Sequence, residues 1–406
     1  MPTPIPADVS TRVARLAERD TPDIVQFLRD MIAIPSESAQ ERAVVDRVAA
    51  EMRRCGFEEV RIDGLGNVLG RVGNGPRLVV FDGHVDTVGV GDASTWTRDP
   101  YRGELKDGIV FGRGAGDQEG GVAAAVYGAR IAKEAGLLDG CQVWVTGTVM
   151  EEDCDGLCWQ YILRERVLTP DVVVITEPTN LGVYRGHRGR MEIEVRTQGR
   201  SCHGSAPERG VNAVYLMAPI VADIERLNGA LDATADPFLG KGSVTISDIR
   251  ATSPSLCAVA DSCTIHLDRR LTHGETLDTA VAEIRGLENV QRAGATVTVL
   301  DYERAAYTGL TYPTQKYFPT WLMPEAHPAI EAAVTAAAAA LGRTPAVGKW
   351  TFSTNGIATA GMFGVPTVGF GPGDERWAHT PDDQCPIDHL TAAARFYALF
   401  PMAFLA

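Results

Sequence analysis

The stretch WVTGTVMEEDCDG, Trp144 to Gly156, decides how the rest of the chain is read. Its apolar, β-branched first part has the composition of a strand buried on both faces of a sheet. It runs straight into three adjacent acids, Glu151, Glu152 and Asp153. Like charges packed at the end of a buried strand are costly unless something offsets them. Two more runs of the same kind flank it, RLVVFDGHVDT (77–87) and DVVVITEP (171–178). GGVAAAVYGARIAKEAG (120–136) lies between the first two strands and has the small-residue packing face of a helix. Strand, helix, strand is the pattern of a covered, mostly parallel sheet.

Working outward, DIVQFLRDMIAI (23–34) and AVVDRVAAEMRRCG (43–56) space their apolar residues at helical intervals. From about Arg188 the rhythm changes. GRMEIEVRTQG (189–199) alternates, as a strand with one wet face does, and VNAVYLMAPIVADIERL (211–227) is helical. GSVTISDIRA (242–251) and CAVADSCTIHLDRR (257–270) are strands, TLDTAVAEIRGLENV (276–290) a helix and ATVTVLDYE (295–303) a closing strand. That β-α-β-β-α-β order is the split βαβ, ferredoxin-like arrangement. After a Pro- and aromatic-rich connection, helix–strand alternation returns. PAIEAAVTAAAAALG (328–342) is a helix, KWTFST (349–354) and VPTVGFGPG (365–373) are strands, and DHLTAAARFYALF (388–400) is a helix. The expected fold is α/β, a mixed, mostly parallel catalytic sheet covered by helices and interrupted by a smaller α+β lid. The expected boundaries are residues 1–187 and 305–406 for the catalytic domain and 188–304 for the inserted lid and dimerisation domain.

The chain has 406 residues, 45% hydrophobic and 22% charged, an ordinary globular balance with room for two or three domains. A formal charge of −14 argues against nucleic acid and anionic membrane as partners. No apolar window of about eighteen residues suggests a membrane span. The start, MPTPIPADVS, lacks the basic and apolar regions of a signal peptide, and the eight scattered cysteines suit reduced thiols, so a cytoplasmic location is expected.

Ligands of open α/β sheets gather beyond the carboxyl ends of the strands. The first strand delivers His84 and Asp86 there, the second Glu151 and Glu152, and the third Glu177. The loop after VPTVGFGPG delivers His379, and the glycine-rich GRGAGDQEGG (112–121) delivers Asp117. Each has a plainer reading taken singly: Asp86 as a turn former, Asp117 as a helix cap, Glu177 as an exposed acid. Their convergence from separate strands suits one or two divalent cations, zinc above all, with cobalt and manganese fitting similar ligands.

DGHVDT, GRGAGDQEGG, EED, ITEPT and AHTPDD resemble, in order and spacing, the metal-site motifs of the M20 metallopeptidase and amidohydrolase family. That family includes acetylornithine deacetylase, succinyl-diaminopimelate desuccinylase, aminoacylase, carboxypeptidase G and carnosinase. YRGHRGRMEIE, SCHGSAPERG, DRRLTHGET and KWTFSTNG look like one subgroup, the hydrolases linked to selenium metabolism. The resemblance implies two divalent metal ions per chain, bridged by Asp117, with His84 and Glu177 on one and Glu152 and His379 on the other. It implies Glu151 as general base and Asp86 as the acid that orients His84. It implies that His203 is donated across a homodimer interface to the neighbour's substrate, and that Arg270 binds a substrate carboxylate. Asn355 is a candidate for the pocket lining, a turn role being equally open. EEDCDG departs from the family by delaying the glycine after the acid pair, so the working pair could slip toward Asp153.

The implied activity is hydrolysis of an amide bond next to a free carboxylate, in a dipeptide or an N-acyl amino acid. Two other readings compete. A cysteine hydrolase would use Cys202 beside His203, or Cys154, although acids around Cys154 disfavour a thiolate. A non-catalytic metal-binding protein of the same fold could dispense with the base.

Overall fold

The computed structural model describes residues 4–406. Eight strands form the central sheet, in the order Glu59–Ile62, Val68–Gly73, Cys141–Thr148, Arg77–His84, Val172–Ile175, Thr367–Gly369, Val183–Tyr184, Val347–Gly348. Arg77–His84 runs parallel to both Cys141–Thr148 and Val172–Ile175, and Thr367–Gly369 runs parallel to Val172–Ile175. The two N-terminal strands join antiparallel at one edge. Four parallel strands therefore present their carboxyl ends along one edge, with His84 opposite Thr148 in register. The chain leaves Arg77–His84 through helix Gly120–Glu134 to a strand on one side, then returns past it to Val172–Ile175 on the other. That reversal opens a crevice at the carboxyl edge.

The strands are buried on both faces because helices cover both. Val79, Val80, Phe81, Val143, Val145, Val172, Val173 and Val174 are all fully inaccessible. Helices Ala7–Ile32, Gly120–Glu134 and Ile387–Leu405 pack together as one layer. Gly128 permits the closest approach there: a Cβ at that position would lie 2.5 Å from Cβ of Tyr397 and 3.0 Å from the Ala394 carbonyl. Any side chain would force the two helices apart.

A second, separate core lies within residues 191–299, joined by Tyr317. Its sheet has the order Ser243–Thr252, Ser262–Leu271, Gly189–Gln198, Thr296–Val299, every pair antiparallel. In Gly189–Gln198 the odd residues Met191, Ile193 and Val195 are buried against helices Ala213–Ala230 and Leu277–Arg285. The even residues Arg190, Glu192 and Glu194 occupy the other face. This is the α+β lid.

Several sequence expectations are corrected. KWTFST is not a strand: the short strand Val347–Gly348 ends before it, and 349–354 is irregular. Its alternation is that of a strand, but Trp350 plugs the space over Gly369, and the Thr354 N–H turns inward to His187 Nε2 at 3.1 Å. The helix expected over 276–290 is two, Leu277–Arg285 and Glu288–Ala293, broken at Gly286 and Leu287. The 307–328 connection is partly paired, Tyr317–Phe318 extending the lid sheet at Arg190 and Met191, and Trp321–Leu322 pairing with Gly186–His187.

Candidate metal centre

The expected ligands are brought to one place, His84, Glu151, Glu152 and Glu177 from the ends of strands or just beyond them, Asp117 and His379 from the turns Ala115–Glu119 and after Glu375–Trp377. His84 closes its strand, and its Nε2 lies 3.1 Å from Asp117 Oδ1, 3.5 Å from Glu177 Oε1 and 3.8 Å from Glu151 Oε2. His379 Nε2 lies 3.0 Å from Glu152 Oε2 and 3.3 Å from Asp117 Oδ2. Asp117 thus turns one oxygen toward each imidazole. Two groupings of ligand atoms fall within 4.8 Å of one another, His84 with Glu151 and Glu177, and His84 with Asp117 and Glu152. The backbone is bent to aim them: Met150 and His379 take φ of 62° and 60°, uncommon for residues with a side chain.

The cluster is rich in acid and poor in fixed cation. Burial, then the neighbouring charges of Asp155, Glu177 and Glu152, pushes the Glu151 carboxyl well above its usual range. Burial and Asp117 push Glu177 up to about 8, and Glu152 is raised for the same reasons. Bonds to Asp117 and Glu152 hold the His379 imidazolium up to about 10. Burial acts to lower His84, but the bonds to Asp117 and Glu177 carry it well above its ordinary value. Glu151 Oε1, Glu152 Oε1 and Glu177 Oε2 are buried with no hydrogen-bond partner. Oxygens left unsatisfied at one point among six carboxylate and imidazole groups are the donor set that hard or borderline divalent cations require.

Asp86 acts on the acid pair more directly than on the imidazole. His84 Nδ1 donates to the Asp86 main-chain carbonyl at 2.7 Å, while the Asp86 carboxylate is 3.7 Å from that nitrogen. Its oxygens accept instead from the Glu151 N–H at 3.1 Å, the Glu152 N–H at 3.0 Å and the Ser38 hydroxyl at 2.7 Å. One residue thereby joins the ends of two strands.

Asp153 leaves the cluster. Its Oδ2 accepts from the Tyr302 hydroxyl and from Arg304, both at 2.7 Å. Arg270 lines the cavity of about 360 Å³ that opens over the cluster, whereas Arg269 is fully buried against Glu275 and Glu283. Asn355 does not line that cavity. Its amide donates to Asp82 and Thr148 and its oxygen accepts from the Gly156 N–H and the Cys158 thiol, a buried network behind the sheet edge. His203 lies outside the cavity on the exposed lid, its Nδ1 accepting from the Ser205 hydroxyl at 2.7 Å. Cys154 and Cys158 are buried, and burial pushes both thiols up, away from thiolate chemistry. Sequence reasoning missed Arg190, Asp155 and Glu375, which also line the cavity. The alternation of GRMEIEV was the available signal for Arg190, since it puts that residue on the wet face of its strand.

Among the described residues no helix is long and apolar enough to cross a membrane. The sequence matches the model of Peptidase family M20/M25/M40 over residues 80–403. The uncharacterized protein YgeY of Escherichia coli (strain K12) is 53% identical over 384 residues, 95% of each chain. Among solved structures, aminopeptidase PepT from Bacillus cereus superposes with a TM-score of 0.70 at 20% identity, covering 95% of this chain and 99% of that one. The YXEP protein of Bacillus subtilis, described as a dinuclear metal binding peptidase from the M20 family, superposes with a TM-score of 0.69 at 14% identity, covering 96% and 98%. Those two likenesses carry the fold.

Proposed function

The chain belongs to Peptidase family M20/M25/M40, and from that premise we propose that it is a dinuclear metal-dependent hydrolase of an amide bond beside a free carboxylate. Its substrates on this reading are dipeptides or N-acyl amino acids. The observation that carries it is Asp117, one oxygen toward the His84 and Glu177 side and the other toward the His379 and Glu152 side. His84, Glu177, Glu152, His379 and the shared Asp117 would hold two divalent cations, zinc by preference. When bound, such ions supply Lewis acidity and lower the pKa of water.

The chain's own groups supply the rest. Glu151 has a free Oε1 and stands beside His84 and Glu177, so it takes a proton from the attacking water and passes it to the leaving nitrogen. The Asp86 clamp fixes the Glu151 and Glu152 backbone. Arg270, held at Nε by Asp268 at 2.8 Å, offers its remaining donors to the substrate carboxylate. We place the chain, within its family, with the hydrolases linked to selenium metabolism, on the motifs Tyr184–Glu194 and Lys349–Gly356.

We further propose a homodimer in which His203 serves the partner's site. His203 is exposed and remote from its own cavity, and Val211, Tyr215, Ile249 and Leu256 expose apolar surface on the same lid. Exposed apolar surface of this kind suits a self-association face.

The test is Glu151→Gln in the full chain. Metal analysis should find about two ions per chain in variant and wild type alike. Turnover of a dipeptide and N-acyl amino acid panel should fall roughly 100-fold or more in the variant. Full activity in the variant refutes the base; a replete wild type with no metal refutes the centre.

A further inference from the structure

The lid carries a second arginine at the cavity, Arg190, within YRGHRGRMEIE but with no role yet attached to it. In the lid ladder Arg190 stands directly opposite Arg270, and Glu192 directly opposite Asp268. All four occupy the sheet face away from the lid helices, because residues two apart share a face. Like charges directly opposite on a ladder repel, so a bare arginine pair is unfavourable. Here the acid row stands behind the arginine row. Asp268 takes Arg270 at Nε and NH2, 2.8 and 3.0 Å, and Glu192 takes one Arg190 NH2 at 3.2 Å. Glu192 is itself fixed by Lys316 at 2.9 Å and His266 at 3.1 Å.

The acids thus hold the guanidiniums by their rear edges, and both arginines line the same cavity as Glu151 and His379. Arg190 is the less satisfied of the two. Its Nε is buried and makes no hydrogen bond; it is ion-paired at 3.8 Å with Asp155 Oδ2, which also accepts no hydrogen bond. Its guanidinium lies over the Phe318 ring at 4.9 Å, which fixes its plane.

Building on the hydrolase reading above, we infer that Arg190 is a specificity residue: it grips the substrate carboxylate jointly with Arg270, the two forks closing on one carboxylate from neighbouring strands. Opposed residues of a ladder are about 5 Å apart at Cα, within the span two guanidiniums can bridge through one carboxylate. The ligand class is a small acyl amino acid or peptide with a free carboxylate, and its neutral carboxamide is the discriminated analogue.

The test is calorimetric titration of the zinc-loaded full chain with N-acetylglycine and with N-acetylglycinamide. Arg190→Met keeps the packing over Phe318 and removes the fork; Arg190→Lys keeps the charge and removes the fork. The wild type should bind the acid at least tenfold tighter than the amide. Arg190→Met should weaken the acid roughly 10- to 100-fold and leave the amide unchanged, with Arg190→Lys recovering only part. Asp155→Asn should keep the acid preference. The inference is overturned by a wild type without that preference, by Arg190→Met weakening acid and amide equally or neither, or by Asp155→Asn reproducing the loss. Absent turnover with the preference intact refutes the hydrolase reading and leaves the anchor standing.

Discussion

Replacing Asp86 by Asn should loosen one half of the metal centre and spare the other. Asp86 is fully buried and is used only as an acceptor, by the Glu151 N–H, the Glu152 N–H and the Ser38 hydroxyl. Asparagine converts one of its two oxygens into a donor. With the NH2 at the Oδ1 position it faces the Glu151 N–H; at the Oδ2 position it faces the Glu152 N–H, while the Ser38 hydroxyl can rotate to accept. Either way one buried backbone N–H of the acid pair loses its acceptor, at a cost of about 1–3 kcal/mol. A partial offset comes from Glu41, which burial and the Asp86 charge push up to about 7 and which the neutral variant relieves. The metal-free chain should therefore lose about 1–3 kcal/mol near neutral pH by urea denaturation. The imidazole is spared, because His84 Nδ1 donates to the main-chain carbonyl of residue 86, which the substitution keeps. Cation affinity should then fall roughly 10- to 100-fold at the Glu152 and His379 side and much less at the His84 and Glu177 side. Stepwise calorimetric titration with zinc resolves the two. Equal losses at both would mean that the carboxylate orients His84 after all, and no loss at either would refute the clamp.

Three further outcomes follow from the geometry. The raised His379 stabilises the metal-free chain fully below about pH 6.5, and that contribution is lost as pH rises through about 10, so cation binding at pH 8 should expel its proton. Zinc titrations in buffers of different ionisation enthalpy check this, and proton-neutral binding refutes it. Burial holds His187 down to about 4, its Nδ1 near the Arg188 carbonyl and its Nε2 facing the Thr354 N–H. The unfolded chain protonates first, so stability present above pH 6.5 should be lost toward pH 4, by about 3 kcal/mol, and His187→Gln should flatten that limb; an unchanged denaturation profile refutes it. Finally, on the proposed homodimer, Glu151→Gln and His203→Ala chains should each be inactive alone and regain turnover when refolded together, because a mixed dimer would hold one complete site; no recovery would refute donation across the interface.

The candidate metal cluster was legible because its residues sit at fixed points of local patterns. His84, Glu151 and Glu177 each lie at the end of a mostly apolar, β-branched run or just beyond it, and parallel strands that share an edge place such ends side by side. The same logic gave the lid, whose alternation of buried and wet residues is intact in Gly189–Gln198. What could not be read locally depends on partners far along the chain. Asp153 is drawn out of the acid run by Tyr302 and Arg304, contributed from the far end of the lid. Asn355 is spent on Asp82, Thr148, Gly156 and Cys158, contributed by three other segments. KWTFST carries a strand's alternation, yet the seat of Trp350 over Gly369 overrides it.

The division between the two sheets also separates two kinds of selectivity. The parallel sheet supplies every proposed cation ligand from strand ends and loops whose positions its core fixes. The antiparallel lid supplies the fixed cations of the cavity, Arg190 and Arg270, from a wet face that packing constrains far less. On the proposed function, a substitution at Glu152 or His379 would act on the ions and so on every substrate at once. A substitution at Arg190 leaves the ion ligands untouched and changes only which anions are held against them. The paired rows Arg190–Arg270 and Glu192–Asp268 make that face a charge pattern adjustable one ladder position at a time, without disturbing the buried odd-numbered residues that hold the lid together.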